Sequence, residues 1–368
     1  MENCQICLED KYEKVNFNNF FLRTDSGKKK LHDYEMRVCL NCGVVFQYPQ
    51  ISQKDVTEYY RSNYRPSSTI KLDQNKSIFF PLHFEQTGIS FQRFYNFYNI
   101  INELKILNKI ENIDENKTFL DYGAYQGSFL YACKSIWKVK TIANDFNKEG
   151  LKFAKNFLDI DKTYESNDIY KDEFSDKIDF CTVIHVLEHL HDPLKFLKHV
   201  KNKIIKNEGY IYVEVPSAES STYDDPTHLF MFNEDSLKYL FNLAGYDILH
   251  ISQKKIYDYK KIKLLKRHVQ TMVHCVAKPN NKINKINKIY QGQSIKRKIQ
   301  KTQKINSDKI YFIRLKNLFR ELLTLIYYGF FIIMSFFSSK LSFKLFLVSN
   351  NYLKNFYLIL KKNLMRLF

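Results

Sequence analysis

Residues 119–129 read FLDYGAYQGSF, and the fold turns on whether the chain here leaves a strand, makes a glycine turn and enters a helix. KTFLDY has the length and apolar content of a buried strand, and GSFLYACKSI those of the helix after it. A turn at the carboxyl end of a strand is where an open α/β sheet meets its ligand. Pyrophosphate sites show G-x-G-x-x-G, because the backbone must come close to the phosphates. Only Gly123 and Gly127 stand here, with Tyr125 at the middle position, so the stretch predicts a ligand without a pyrophosphate. Gly123 permits the tight turn and Gly127 a close helix start, whose N-terminus attracts a carboxylate as readily as a phosphate. Asp145, 24 residues beyond Asp121, ends the second strand VKTIAND, where a carboxylate can take both hydroxyls of a ribose. By itself a two-glycine turn is a weak signal.

Outward from this turn the alternation continues. A helix is predicted over 148–158, then a strand at DFCTVIHV and a helix at DPLKFLKHVKNKI with Pro193 in its first turn. GYIYVEVP reads as a strand, EDSLKYLFNLAGY as a helix closed by Gly245, and YDILHI and VQTMVHCVAKP as two closing strands. Strands alternating with helices imply a mostly parallel, doubly wound sheet covered on both faces. The last two strands have no clear helix between them and predict an antiparallel edge. Upstream, residues 85–107 place Phe94, Tyr98, Ile101 and Leu104 on one helical face.

Charge divides the chain unevenly. Residues 251–368 hold 26 Lys and Arg against 3 Asp and Glu, whereas residues 1–250 hold 31 against 36. The basicity therefore belongs to the tail, which argues for an anionic surface met by the tail rather than a basic active site. NKINKINKI after Pro279 is a low-complexity linker, and Leu322–Ser339 runs without a charge. That run is near the lower limit for a membrane span, and lysines and arginines flank both its ends. It predicts a helix lying in or dipping into a membrane interface, with a helical hairpin packed on protein as the alternative. The boundaries expected are 1–80, 81–279, 280–310 for the basic linker, and 311–368 for an apolar, basic, helical tail.

Four of the seven cysteines form two pairs, Cys4-x2-Cys7 and Cys39-x2-Cys42. Such knuckles satisfy tetrahedral zinc, and with no ligand position left open the metal would be structural, standing in for a small core. Cys133, Cys181 and Cys275 lie singly in apolar surroundings and read as core residues. Unpaired thiols and an N-terminus without an apolar signal core predict a cytoplasmic protein, held by its tail at the inner face of a membrane.

VIHVLEHLHDPLKFL and VEVPSAESSTYDDPTHLFMFNEDSLKYLFNLAGYDI closely resemble the class I S-adenosylmethionine-dependent methyltransferase family. RVCLNCGVVFQYPQISQKDVTEYYRSNYRP is similar to the zinc-binding module of one branch, which includes sugar C-methyltransferases. The resemblance spans about residues 1–279 and implies a seven-stranded Rossmann-like sheet with S-adenosylmethionine over its first two strands. It places Asp121, Gly123, Tyr125 and Gly127 on the donor loop, Asp145 at the ribose, Asp168 near the adenine and His185 beside the donor. His228 follows the fifth strand at the sheet end where the donor would sit, and its imidazole reads as a base for a sugar hydroxyl or an acidic carbon, or else as a histidine holding the loop by hydrogen bonds. The sugar C-methyltransferases carry Tyr-His-Glu-His at that stretch; His228 matches the last residue, but Asp225, Pro226 and Thr227 replace the others. The departure favours O-methylation over carbon methylation.

His189 is a second polar contact for the acceptor, or else a helix-entry residue. Tyr59, Tyr60, Tyr64 and Arg65 would suit a lid over a hydroxyl-rich substrate. The expected acceptor is a sugar or glycan, as a small molecule or lipid-linked, with the tail on an anionic membrane surface. Two other readings stay open: a nucleic-acid methyltransferase and a non-catalytic membrane-tethered module. Base-methylating enzymes usually carry Asn/Asp-Pro-Pro-Tyr/Phe after the fourth strand to stack a flipped base, and this chain has His185-Val-Leu-Glu there, which disfavours nucleic acid.

Overall fold

The computed structural model describes residues 3–15, 22–24, 27–29, 34–58, 84–219, 227–255 and 271–280. The tyrosine-rich segment with Tyr59, Tyr60, Tyr64 and Arg65, the positions Asp225 and Pro226, the linker and the apolar tail with Leu322–Ser339 lie outside the described residues. Among the described residues, no helix is long and apolar enough to cross a membrane.

The central sheet has seven strands: β6 (Thr118–Tyr122), β7 (Lys140–Asp145), β8 (Lys162–Glu165), β9 (Ile178–Ile184), β10 (Ile205–Pro216), β12 (Tyr246–Lys255) and β13 (Thr271–Pro279). Their order is β12-β13-β10-β9-β6-β7-β8. β8, β7, β6, β9 and β10 run parallel, and β13 is antiparallel to both β10 and β12. This is the mostly parallel, doubly wound sheet the sequence predicts, with the antiparallel edge at its C-terminal strands. β9 is buried along its whole length, as a strand covered on both faces must be. The chain winds outward from β6 in one direction through β7 and β8 and in the other through β9 and β10. The carboxyl ends of β6 and β9 therefore flank the point where strand order reverses, and ligand crevices of open sheets form there.

Helices α2 (Phe84–Ile106), α3 (Ser128–Trp137), α4 (Lys148–Phe157), α5 (Pro193–His199) and α6 (Glu234–Ala244) cover the sheet. Their ends follow local chemistry. Asp192 caps α5 by accepting from Lys195 N, and Pro193 needs no partner in the first turn. Asn233 and Ser236 form a reciprocal capping box on α6, and Gly245 closes that helix in the left-handed conformation at φ 80°. Of the expected face of α2, Phe94, Ile101 and Leu104 are buried and Tyr98 half-buried; Phe97 is also fully buried, its ring 4.9 Å from that of Tyr212 and 5.4 Å from Phe180. Cys133, Cys181 and Cys275 are buried in the core.

β1 (Tyr12–Val15), β4 (Glu35–Cys39) and β5 (Val45–Tyr48) form a small antiparallel sheet around the cysteine pairs. This sheet does not close on itself. Its fourth strand is β11 (Phe230–Met231), supplied by the chain between β10 and α6. Ile6, Val44 and Phe46 of the N-terminal segment share one hydrophobic cluster with Phe232, Leu237, Leu240 and Phe241. The cysteine segment and the large sheet thus share one core. A two-stranded hairpin, β2 (Leu22–Thr24) with β3 (Gly27–Lys29), and the short α1 (Gln53–Glu58) complete the elements.

Candidate active site

The glycine turn after β6 is held from the neighbouring strand. Gly123 N and Ala124 N both donate to Asn144 O, at 2.9 and 3.1 Å, and Gly127 N donates to Ala124 O at 2.8 Å. Gly123, Tyr125 and Gly127 all take positive φ, at 71°, 46° and 73°. A Cβ on Gly123 would stand 2.5 Å from Val186 Cγ2, and one on Gly127 would stand 3.0 Å from Ala154 and Ile160. Both glycines are therefore required by conformation and by space.

Asp145, at the end of β7, sits against this loop. One carboxylate oxygen accepts from Tyr125 N at 2.7 Å and the other from Asn147 N at 2.7 Å. The half-buried carboxylate thus fixes the glycine loop to the end of β7. Asp168, after β8, accepts from Tyr170 N at 3.0 Å and pairs with Lys171 at 3.0 Å. Slight burial works against its charge, but the lysine and the backbone amide hold its carboxyl below the usual range. Ser166 N donates to Asp145 O, which ties this loop to the end of β7. The structure thus brings Gly123, Tyr125, Gly127 and Asp145 into one group, and the Asp168 loop is bonded to its edge.

Asp121 lies beneath the loop rather than in it. It is buried, and its Oδ1 accepts from the Thr182 hydroxyl at 2.6 Å. Burial pushes its carboxyl up to about 7, against the Thr182 hydrogen bond. The folded protein keeps this proton between the ordinary carboxyl range and neutrality, whereas the unfolded chain releases it. The group's contribution to stability is therefore complete in acid and lost as pH rises through 7. Asp121→Asn should raise the melting temperature at pH 8 by roughly 5 °C over the parent, with the gap closing near pH 4. Thermal melts at the two pH values check this; a constant gap would mean that titration of Asp121 plays no part.

A second group faces the loop from the end of β9. His185 takes the left-handed conformation at φ 54°, which directs the chain into a short 3-10 turn, Leu187–His189. Its N–H donates to Glu214 O at 2.9 Å. Its ring lies between two fully buried carboxylates, with Nδ1 3.2 Å from Glu188 Oε1 and Nε2 3.5 Å from Glu214 Oε1. Burial disfavours charge on all three groups, yet their mutual attraction prevails. The imidazole is raised above its ordinary value and both carboxyls are held at about 2. Arg93 (3.3 Å), Tyr212 (3.1 Å) and His274 (3.4 Å) complete the surroundings of Glu214.

His189 and His228 meet above this network, their ring centres 4.8 Å apart. His189 Nδ1 donates to Thr227 O at 2.9 Å. Leu229 N donates to Glu188 O at 2.8 Å, and Leu229 O accepts from Gln47 N of the cysteine segment at 2.9 Å. The loop carrying His228 is therefore pinned on one side by the 3-10 turn and on the other by β5.

The four cysteines of the N-terminal segment converge. Cys4 Sγ lies 3.6 Å from Cys42 Sγ, and Cys7 Sγ 3.4 Å from Cys39 Sγ. Thiolates bound to one tetrahedral zinc at about 2.3 Å stand roughly 3.8 Å apart, so the sulfurs fit that ion with slight expansion.

Sequence patterns pointed to the glycine loop, Asp145, His189, His228 and the cysteines. They did not point to Glu214, Arg93 or Tyr212. Glu214 had one signal, as the lone charge in the apolar run YIYVEVP. Glu188 was visible beside His189, without a role.

Residues 92–251 match the family model described as "Methyltransferase domain". No curated protein matches the chain. Among solved structures, an S-adenosylmethionine-dependent methyltransferase from Clostridium acetobutylicum is similar at 16% identity and TM-score 0.38, over 52% of this chain and 92% of that one. One from Aquifex aeolicus is similar at 20% identity and TM-score 0.36, over 47% and 87%. A third match, in the complex between the Haloferax volcanii Trm112 methyltransferase activator and a methyltransferase, has 16% identity and TM-score 0.40, over 46% and 85%.

Proposed function

We propose that the chain is a class I, S-adenosylmethionine-dependent methyltransferase; the match of residues 92–251 to a methyltransferase domain supports this premise. The reading is transfer of the methyl group to a hydroxyl of a sugar or glycan acceptor. The observation that carries it is the pair of imidazoles, His189 and His228, at the reversal point of the sheet beside the glycine loop. When bound, the donor supplies a methyl carbon on a sulfonium, which an oxygen displaces in line.

The chain's own part is placement and proton removal. Gly123, Tyr125 and Gly127 present the turn and helix start to the donor's amino-acid end. Asp145 takes the ribose hydroxyls, and Asp168 lies toward the adenine. Asp121 supports the loop from below, and His185 closes the side of the cleft formed by β9. His228 receives the acceptor proton, and His189, fixed by Thr227 O, holds the acceptor oxygen. Cys4, Cys7, Cys39 and Cys42 hold a structural zinc whose module fixes the loop of His228 through Gln47. The basic tail would bring the enzyme to an anionic membrane surface on the cytoplasmic side, where lipid-linked glycans are presented.

Incubation with methyl-labelled donor and fractionated nucleotide-sugars, envelope glycans and nucleic acid tests the reading. Label is expected in the glycan or nucleotide-sugar fraction, in a form stable as a methyl ether. Asp145→Ala should weaken donor binding roughly 10- to 100-fold, because each hydrogen bond to a charged group contributes about 1.5–3 kcal/mol. Label in nucleic acid alone would overturn the acceptor class, and unchanged donor affinity in the variant would overturn the placement of the ribose.

A further inference from the structure

We propose that Glu188, His189 and His228 form a binding site for one divalent first-row cation, which positions two neighbouring hydroxyls of the acceptor. The inference rests on the reading of this cleft as the acceptor site of a methyltransferase.

The carboxylate oxygen and imidazole nitrogens of these three residues lie within 4.8 Å of one another. His189 Nε2 stands 3.9 Å from Glu188 Oε1. Ligands held at about 2.1 Å from one ion lie roughly 3–4 Å apart, so small side-chain rotations close the site. The tautomer of His189 is already set for it. A carbonyl oxygen only accepts, so Nδ1 carries the proton that goes to Thr227 O, and Nε2 presents its lone pair. A backbone carbonyl on the far nitrogen is the usual support of a metal-binding imidazole.

Glu188 supplies the independent observation. Its side chain is 0% exposed, and neither oxygen accepts a hydrogen bond. His185 Nδ1 approaches Oε1 at 3.2 Å without the alignment of a hydrogen bond. Oε1 has the His185 imidazole as its ion-pair partner, whereas Oε2 meets no hydrogen-bond donor; a buried carboxylate oxygen left so is costly to fold, and a cation is the ligand that satisfies it. The framework is rigid on both sides of the gap. His189 N donates to Val186 O at 3.0 Å, and Leu229, next to His228, is bonded to Glu188 O at 2.8 Å.

Two imidazoles and one carboxylate suit manganese, iron, cobalt or zinc, and leave coordination positions open. Two adjacent acceptor oxygens fit such positions, which selects a vicinal diol over an isolated alcohol. The cation lowers the hydroxyl's pKa, so its proton passes to water. The oxygen then forms a bond to the methyl carbon as the carbon–sulfur bond breaks, and S-adenosylhomocysteine leaves as a neutral thioether. With the cation present, His228 serves as a ligand in place of a base.

The test uses the whole chain with zinc on its thiolates, which manganese does not displace because soft ligands favour zinc. Paramagnetic resonance of free manganese, followed on titration, should show one manganese bound per chain in addition to the zinc. Glu188→Gln, which keeps the shape of the side chain, and His228→Asn should each weaken that binding at least about tenfold. Donor binding, measured by calorimetry on the same samples, should persist in both variants. Manganese that stays free at millimolar concentration, or variants that bind it as tightly as the parent, would overturn the proposal. Protein that binds donor but no manganese sinks the cation site alone; protein that binds manganese but no donor sinks the methyltransferase reading of the cleft alone.

Discussion

His228→Ala is expected to lower turnover roughly 10²–10⁴-fold, the usual contribution of a positioned acid–base group, while donor affinity changes by no more than about twofold. The asymmetry follows from where the residue sits. His228 belongs to the loop between β10 and β11, pinned to the 3-10 turn at Glu188 and to β5 at Gln47. The donor loop is built from other strands, β6 and β7, and its hydrogen bonds to Asn144 and Asp145 do not involve His228. On the proposed reading, removing the imidazole strips the acceptor side of the cleft and leaves the donor side standing. Donor titration by calorimetry beside single-turnover rates gives the two quantities separately. A rate that holds would reduce His228 to a loop residue and leave proximity as the whole of catalysis.

Cys42→Ser should cost the fold far more than its place in a small appendage implies. Zinc content is expected to fall from one per chain to near zero. The entire described body should then melt more than roughly 10 °C lower, since zinc bound by such thiolate sets contributes about 10–16 kcal/mol of apparent free energy. The reason is the shared core: Cys42, Val44 and Phe46 pack in the same cluster as Phe232, Leu237 and Phe241, and β11 completes the small sheet. Loss of the metal would therefore loosen the start of α6 and the loop of His228 as well. Calorimetric melts with elemental analysis decide the matter. A two-step melt, with a low transition for the cysteine segment and an unchanged upper one, would mean that the segment is an independent attachment.

What the sequence disclosed and what it withheld differ in kind. β9 was readable because a strand buried on both faces is mostly apolar, here with Asp179 and Thr182 as exceptions, and α6 because Gly245 marks its end. The glycine turn was readable because its positive φ values demand residues that tolerate them, and Tyr125 is the exception. β8 escaped notice. As a four-residue edge strand with Lys162 and Glu165 exposed, it has no apolar period to detect. β10 begins at Ile205, ahead of the GYIYVEVP run, with an irregular step in register between Ile205 and Tyr210. β11 is two residues long and exists only through its pairing with β5. The same holds for the charged network. Glu214 and Arg93 come from separate elements, and their meeting with His185 and Glu188 depends on strand order, which no local pattern records.

The pairing of Phe46 with Phe230 also sets an order of events during synthesis. The cysteine knuckles and their three strands leave the ribosome before β11, and could capture a zinc ion at that stage. Their sheet must wait with one edge open until the chain beyond β10 arrives. For that interval the β5 edge is a row of unpaired amides and carbonyls, open to pairing with another nascent chain. Long-range pairings of this kind form late, because the loop they close must first give up its freedom. The step that docks β11 also seats the loop of His228. On the proposed reading, the acceptor side of the cleft is therefore complete only once the N-terminal strands and the chain beyond β10 have met, and a chain stalled before that point would have no working site.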